Sequence, residues 1–261
     1  MTTSVDIVVP CVPKHIRHLR ALITSIRANT RRPDTIIVAL SQTNAAECDR
    51  VGVALRRLAC PTPVVMTCVT TTAYAAENRN RGAAVSDADV LMFMDADDAM
   101  FPNAIAATLE VMHAHRADAV YHGFSRDPAY SESPAEARAP TVDPASFAMI
   151  EKADRSEIHL TRLPMHHGHV AVRRHAYLDV GGQNEAERWR RPQDAKFMRD
   201  VCRAGHRVAF TPRKLTLYNE HLSAEQHPTV ARRPVHVFVP LLVVMLGLFA
   251  AVRYYGRYMR R

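Results

Sequence analysis

No two of the five cysteines stand at C-x-x-C spacing: Cys11, Cys48, Cys60, Cys68 and Cys202 are scattered and odd in number. That pattern argues against a zinc site or a disulfide framework, so reduced, mostly buried thiols in a cytosolic compartment are expected. The start, Met1-Thr2-Thr3-Ser4-Val5-Asp6, has neither a basic nor an apolar region, and no secretory signal is expected. Glycine is missing from Cys11-Val12-Pro13-Lys14, just where a Gly-rich phosphate loop would follow a first strand. No internal repeat is visible. A basic face for nucleic acid is also lacking, despite a formal net charge of +8. Six arginines and no acid lie beyond Pro228, and without them 28 basic residues face 26 acidic ones. A nearly neutral body does not build a duplex-binding stripe, so no nucleic-acid partner is expected.

What is present is enough chain, 261 residues, for one large domain or a domain with an appendage. Val5-Asp6-Ile7-Val8-Val9 is a β-branched run stopped by Pro10, which predicts a first strand. Ile16, Leu19, Ile23 and Ile26 recur at helical spacing. Strands are predicted at Thr35–Leu40 and Val64–Val69, with a helix carrying Val51, Leu55 and Leu58 between them and a polar-faced helix over 74–85 after them. Strand and helix alternate as far as residue 98, which predicts a doubly wound, mostly parallel sheet with helices on both faces. Pro102 suits the start of the next helix, with Ile105, Leu109 and Met112 on its buried face. A strand follows at Ala119–Phe124. Residues 126–145, with Pro128, Pro134, Pro140 and Pro144, read as a flexible loop between two halves. The second half reads as a strand at His169–Arg173, a turn ending at Gly181-Gly182, a helix from Pro192 to Ala204, and strands near Val208 and Leu215.

The chemistry concentrates where Val90-Leu91-Met92-Phe93-Met94 ends in Asp95-Ala96-Asp97-Asp98. Carboxylates at the end of a buried strand need a counter-charge, and a hard divalent cation with phosphate oxygens supplies one. The competing reading is an acidic turn capping the helix near Pro102. The far end of the chain is different again. Val235 to Val252 is an uncharged stretch of 18 residues flanked by Arg232-Arg233 and by Arg253-Tyr254-Tyr255. Length and rim fit a membrane span, or an interfacial helix given His236 and Pro240. The expectation is a single-pass anchor within 228–261 and a cytosol-facing body over 1–227.

The order of a Pro-terminated first strand, Asn78-Arg79-Asn80-Arg81-Gly82, Asp95-Ala96-Asp97-Asp98, His167-Gly168-His169 leading to Val180-Gly181-Gly182, and Gln193-Asp194 resembles the family 2 glycosyltransferases of the GT-A fold, over roughly residues 4 to 222. The resemblance implies a metal-dependent, inverting hexosyl- or pentosyltransferase that takes sugar from a nucleotide-sugar donor. The acceptor would be a hydroxyl of a glycan, lipid-linked molecule or protein, and the tail, acting as an anchor, would place the chemistry at a membrane surface. It implies that 1–125 is a donor half and 146–227 an acceptor half. Asp95-Ala96-Asp97 resembles the DxD motif, with Asp95 toward the donor ribose or metal and Asp97 holding Mn²⁺ or Mg²⁺. Asp98 then remains as the helix cap. Arg79 resembles the arginine that lies against the donor nucleotide. Asp194 resembles the catalytic base, at a helix start where the dipole favours a carboxylate.

Gln193 stands where the family usually has Glu and, with Gly168, is expected among the acceptor contacts. Tyr218-Asn219-Glu220-His221 resembles the Y-R-x-H element, making His221 a third metal or phosphate ligand. His166, His167 and His169 lack an acid or Cys partner at ligand spacing, so they read as acceptor-pocket lining or surface. The family's base-reading Asp is missing from Ala39-Leu40-Ser41-Gln42, which leaves base selection to Ser41, Gln42 or backbone groups near Pro10 and Cys11. The alternatives are a non-catalytic binding module and a nucleotidyltransferase, the second disfavoured by the glycine-free loop.

Overall fold

The central strands are apolar on both faces, and the structure covers both. The computed structural model describes residues 3–137, 165–186 and 193–219. The chain divides into two units, Met1–Glu220 and His221–Arg261, and the described residues all belong to the first. Its strands are β1 Val5–Cys11, β2 Thr35–Leu40, β3 Val64–Cys68, β4 Val90–Phe93, β5 Ala99–Met100, β6 Ala119–Ser125, β7 Met165–Arg173 and β8 Val208–Leu217. Its helices are α1 Ile16–Arg27, α2 Ala45–Ala59, α3 Ala75–Ala83, α4 Ala104–Ala114, α5 Pro134–Ala137, α6 Arg174–Asp179 and α7 Gln193–Arg203.

The eight strands form a sheet in the order β3-β2-β1-β4-β7-β6-β8-β5. Alternate residues of one strand feed opposite cores, as a period of two requires. Ile7, Val9, Val90 and Met92 join α1, α2 and α4 on one face. Val8, Leu91, Phe93 and Tyr121 join α3, α6 and α7 on the other. Each large aliphatic side chain so buried contributes about 1.5–3 kcal/mol.

The expected parallel pairing holds over β3-β2-β1-β4. Beyond β4 the sheet is mixed, because β7 runs antiparallel to both β4 and β6 while β8 runs parallel to β6. The two predicted strands near Val208 and Leu215 are one strand. Pro212 does not break it, because the register against β6 shifts around Gly123, where any Cβ would lie 2.8 Å from the Pro212 carbonyl oxygen. The two-residue β5, antiparallel to β8, was too short to leave a sequence pattern.

Pro10 does not stop β1, which continues to Cys11. Val8 O accepts from Met94 N on the β4 side and Cys11 O accepts from Ser41 N on the β2 side. Pro10 therefore turns its ring nitrogen toward β4, opposite Met94, and having no N–H to donate it ends the β1–β4 ladder at Val8 and Phe93 while the β2 side continues.

The cysteine expectation is corrected. Cys48, in the first turn of α2, is disulfide-bonded to Cys68 at the end of β3, with Cα atoms 6.3 Å apart. Packing of α2 against β3 brings them together from 20 residues apart, a spacing with no local signature. Cys11 is a buried thiol as expected, while Cys60 is exposed. The bonded pair removes the argument from reduced thiols for a cytosolic body. Among the described residues no helix is long and apolar enough to cross a membrane. The expected anchor at 228–261 lies outside them.

Candidate active site

β1 lies between β2 and β4, and the strand order reverses direction there. Ligands in open α/β sheets bind outside the carboxyl ends of the strands at such a switch point. Cys11 and the turn Asp95-Ala96-Asp97-Asp98 stand at those ends. The turn is closed by a hydrogen bond from Asp98 N to Asp95 O at 3.3 Å.

Asp98 is not a helix cap. The next helix begins at Ala104, preceded by Asn103 without a side-chain capping bond. Asp98 is buried, its Oδ2 lies 3.0 Å from His169 Nε2, and its Oδ1 accepts from Asn219 N at 2.8 Å. His169 in turn sets Nδ1 3.0 Å from Thr216 Oγ1. One ring nitrogen thus meets the threonine hydroxyl and the other lies beside the Asp98 carboxylate. Burial, with Arg79 adding to it, pushes His169 down to about 4 although Asp95 opposes them. His169 is therefore neither pocket lining nor surface, because β7 runs through the middle of the sheet and carries it inward. Asn219 Nδ2 also donates to Asp97 O at 2.6 Å, so the end of β8 closes over the turn.

Arg79 is the largest fully buried side chain among the described residues. Its Nη2 donates to Asp95 Oδ1 at 2.7 Å and its Nη1 to Asp194 Oδ1 at 2.6 Å. Gln183 Oε1 accepts from the same Nη1 at 3.2 Å. Burial works against the charged guanidinium, but Asp194 and Asp95 outweigh it and raise its pKa. The residue expected against the nucleotide is, in this arrangement, a fork between the carboxylate expected at the donor and the one expected to act as base. Asp95 and Asp194 keep 28% and 21% of their side chains exposed, so both reach solvent above the buried Arg79.

Flanking residues hold this fork. Asn80 Oδ1 accepts from Gln183 N and from Tyr177 Oη, and its Nδ2 donates to Gln183 O. Gly182, with φ +76°, lies so close that a Cβ there would stand 2.7 Å from Asn80 Oδ1. Asn78 Nδ2 donates to Ser41 Oγ at 3.1 Å, and Ser41 Oγ donates to Ala73 O at 3.3 Å. Ser41 is fully buried, so the hydroxyl expected to read a base serves the protein's own interior. Burial pushes the neighbouring Cys11 thiol up to about 12. Gln193 is also inside: its Oε1 accepts from Ala76 N at 2.9 Å, satisfying one of the free N–H groups that start α3. It docks α7 on α3 and does not face an acceptor. Gly168 lies within β7, and His221 lies outside the described residues.

Among the described residues, Asp95, Asp97, Asp98 and Asp194 bring four carboxylates to the end of the sheet where Arg79 is buried, a donor set that suits a divalent cation. Ligand atoms of Asp95, Asp98 and His169 lie within 4.8 Å of one another. His169, fully buried between Thr216 and Asp98, backs the turn from inside. Asp97, expected to hold the cation, is buried in the same turn and is not part of that group. A cavity of about 740 Å³ between α1 and α2, lined by Ile16, Val51, Leu55 and Leu58 among others, contains none of these residues.

Asn219, Gln183 and Thr216 escaped the sequence reading, because each acts across more than 40 residues of chain. Only Asn78 and Asn80 carried a signal, by flanking Arg79.

Residues 6–182 match the profile of the family described as glycosyl transferase family 2. No curated protein matches the chain. Among solved structures, residues 1–349 of S. aureus TarS in complex with UDP align with a TM-score of 0.58 at 13% identity, covering 82% of this chain and 60% of that one. The same fragment in complex with UDP-GlcNAc aligns at 0.57 and 14%, covering 82% and 58%. Against the longer TarS structure the TM-score is 0.54 at 14% identity, over 82% of this chain and 36% of that one. This chain thus spans less than two thirds of each, and at such identities the likeness is one of fold.

Proposed function

The chain belongs to glycosyl transferase family 2, matched over residues 6–182, and from that premise we propose an inverting, cation-assisted transfer of sugar from a nucleotide-sugar donor to an acceptor hydroxyl. The observation that carries the reading is the Arg79 fork, which ties a donor-side carboxylate, Asp95, to the expected base, Asp194, at one switch point of the sheet. Asp194, in the first turn of α7, takes the proton of the acceptor hydroxyl as it attacks. Arg79 positions Asp194 and Asp95 relative to each other. The His169–Asp98 pair and Asn219 hold the turn that presents Asp95 and Asp97.

The donor set, carboxylate oxygens clustered in one turn, fits a hard cation such as Mn²⁺ or Mg²⁺ held by Asp95 and Asp97. When bound, such an ion supplies positive charge against the departing nucleoside diphosphate. Uridine donors are the first to test, because the TarS fragment is found with UDP and UDP-GlcNAc. With Ser41 committed inward, base recognition falls to Gln42 and to backbone groups at the ends of β1 and β2. We also propose that the apolar stretch 235–252 holds the enzyme at a membrane, where a lipid-linked or membrane-proximal acceptor is reached.

Thermal unfolding with UDP, GDP and CDP, with and without Mn²⁺, tests donor binding. A nucleotide at 100 times its dissociation constant adds about 2.7 kcal/mol of stability, and the gain should need the metal. Asp194→Asn should keep that gain while turnover falls by about 10²-fold or more. Asp97→Asn should lose the metal-dependent gain. Near-normal turnover by both variants would overturn the mechanism.

A further inference from the structure

The opposite end of the sheet holds a second convergence of metal-binding side chains, and it takes no part in the reaction above. Asp118 immediately precedes β6, His206 stands two residues before β8, and His175 follows β7 in the first turn of α6. Register brings them together: Ala119 pairs with both Val172 and Val208. Backbone bonds from Asp118 N to Arg207 O and from Arg173 N to Asp118 O, each 2.7 Å, lock the three segments. Val90, the first residue of β4, pairs with Arg173, so this cluster lies at the strand end remote from Asp95.

The distances are those of ligands around a shared centre more than those of hydrogen bonds. His175 Nε2 is 3.4 Å from Asp118 Oδ1, and His206 Nδ1 is 3.7 Å from Asp118 Oδ2. Both exceed a good N–H···O bond. With metal bonds of about 2.0–2.2 Å, the ligand atoms of a tetrahedral ion stand roughly 3.3–3.6 Å apart. All three ligand atoms lie within 4.8 Å of one another. His206 Nε2 lies 2.9 Å from Asp179 Oδ2. With the ring proton on Nε2, His206 donates to Asp179 and turns the lone pair of Nδ1 toward Asp118. A carboxylate behind a histidine is the partner that orients a metal-bound imidazole.

The competing cation does not close the site. Arg173 Nε is 3.9 Å from Asp118 Oδ1 and donates instead to Ala117 O at 3.2 Å. Asp118 Oδ2 also accepts from Arg207 N at 2.9 Å, which fixes the carboxylate without neutralising it.

We infer that Asp118, His175 and His206 form a binding site for a transition-metal dication of the zinc class, with Asp179 orienting His206. Two imidazoles and one carboxylate select such an ion over Mg²⁺ or Ca²⁺, which take oxygen ligands. Three protein ligands leave a fourth position for water. The ion clips α6 to the starts of β6 and β8, and α6 leads through Gly182 to Gln183, which touches Arg79.

The test is zinc titration of untagged, metal-stripped full-length protein by calorimetry, with Co²⁺ absorption spectra alongside. Wild type should bind one zinc that His175→Ala and His206→Ala both lose and that Asp97→Asn keeps. Asp179→Asn should weaken that site about 10–100-fold. His175 is 64% exposed, so the metal-free His175→Ala protein should unfold at the wild-type temperature, separating lost ligation from lost folding. Equal zinc binding by wild type and both histidine variants would overturn the site. The Asp97→Asn arm separates this outcome from any failure of the cation reading at the catalytic turn.

Discussion

Arg79 decides how the proposed active site is held. Its side chain is 2% exposed, yet its two partners are partly open, so the guanidinium lies beneath carboxylates that water still reaches. Removing one member of a buried ion pair typically costs about 3–5 kcal/mol, because the partner charge is left uncompensated. Solvent around Asp95 and Asp194 moves Arg79→Met toward the lower end, about 3 kcal/mol in urea unfolding. Arg79→Lys separates position from charge. A single ammonium cannot fork to two carboxylates as a planar guanidinium does, so turnover should fall by about 10²-fold or more while much of the stability returns. Wild-type turnover by Arg79→Lys would show that the fork is dispensable. Asp95, Arg79 and Asp194 were each legible in the sequence, because motif order singles them out. Their mutual bonding was not, since Arg79 and Asp194 are 115 positions apart and nothing local records that α3 and α7 meet at their amino ends.

At the scale of elements, the position of α3 decides the fork, and one glycine sets how closely α3 approaches the sheet. A Cβ at Gly82 would stand 2.4 Å from Val8 Cγ1, well inside contact distance. Gly82→Ala therefore overpacks the α3–β1 contact, at a cost of about 1–3 kcal/mol that helix propensity, about 1 kcal/mol in favour of alanine, only partly offsets. Because Arg79 rides on the same helix, turnover should fall more than the loss of folding explains. Circular dichroism melts and turnover, measured well below the melting point, check the two parts. Unchanged turnover by a destabilised variant would separate α3 packing from the site. The periodic elements were readable: α1 buries Leu19, Leu22, Ile23 and Ile26, close to the predicted stripe, and the four parallel strands fall where apolar runs predicted them. Elements that rely on distant partners were not. β5 exists only because Ala99 and Met100 pair with Leu217 and Thr216, and β8 survives Pro212 only because β6 shifts its register at Gly123. Local propensity contains no information on either partner.

For the whole molecule, the open matter is where the catalytic unit works. The Cys48–Cys68 bond removes the thiol argument for a cytosolic body, and the arginines on both flanks of residues 235–252 give no orientation by the positive-inside rule. What remains is hydropathy: 18 uncharged residues reach the lower limit for a span of about 30 Å of hydrocarbon, and the same segment carries His236 and Pro240. A span and an interfacial helix would both tether the protein, but they would respond differently to extraction. Full-length protein expressed in cells should sediment with membranes, and deletion of residues 232–261 should release it to the soluble fraction. The catalytic turn, Arg79 and Asp194 all lie in the unit Met1–Glu220, so the truncated protein should keep metal-dependent nucleotide binding. Alkaline carbonate strips proteins held by surface contacts and leaves spanning helices in place. Retention of the full-length chain in carbonate-washed membranes, with release of the truncated one, is the result expected of a span. Release of both would assign the tail to the interface, and sedimentation of the truncated protein with membranes would overturn the tether altogether.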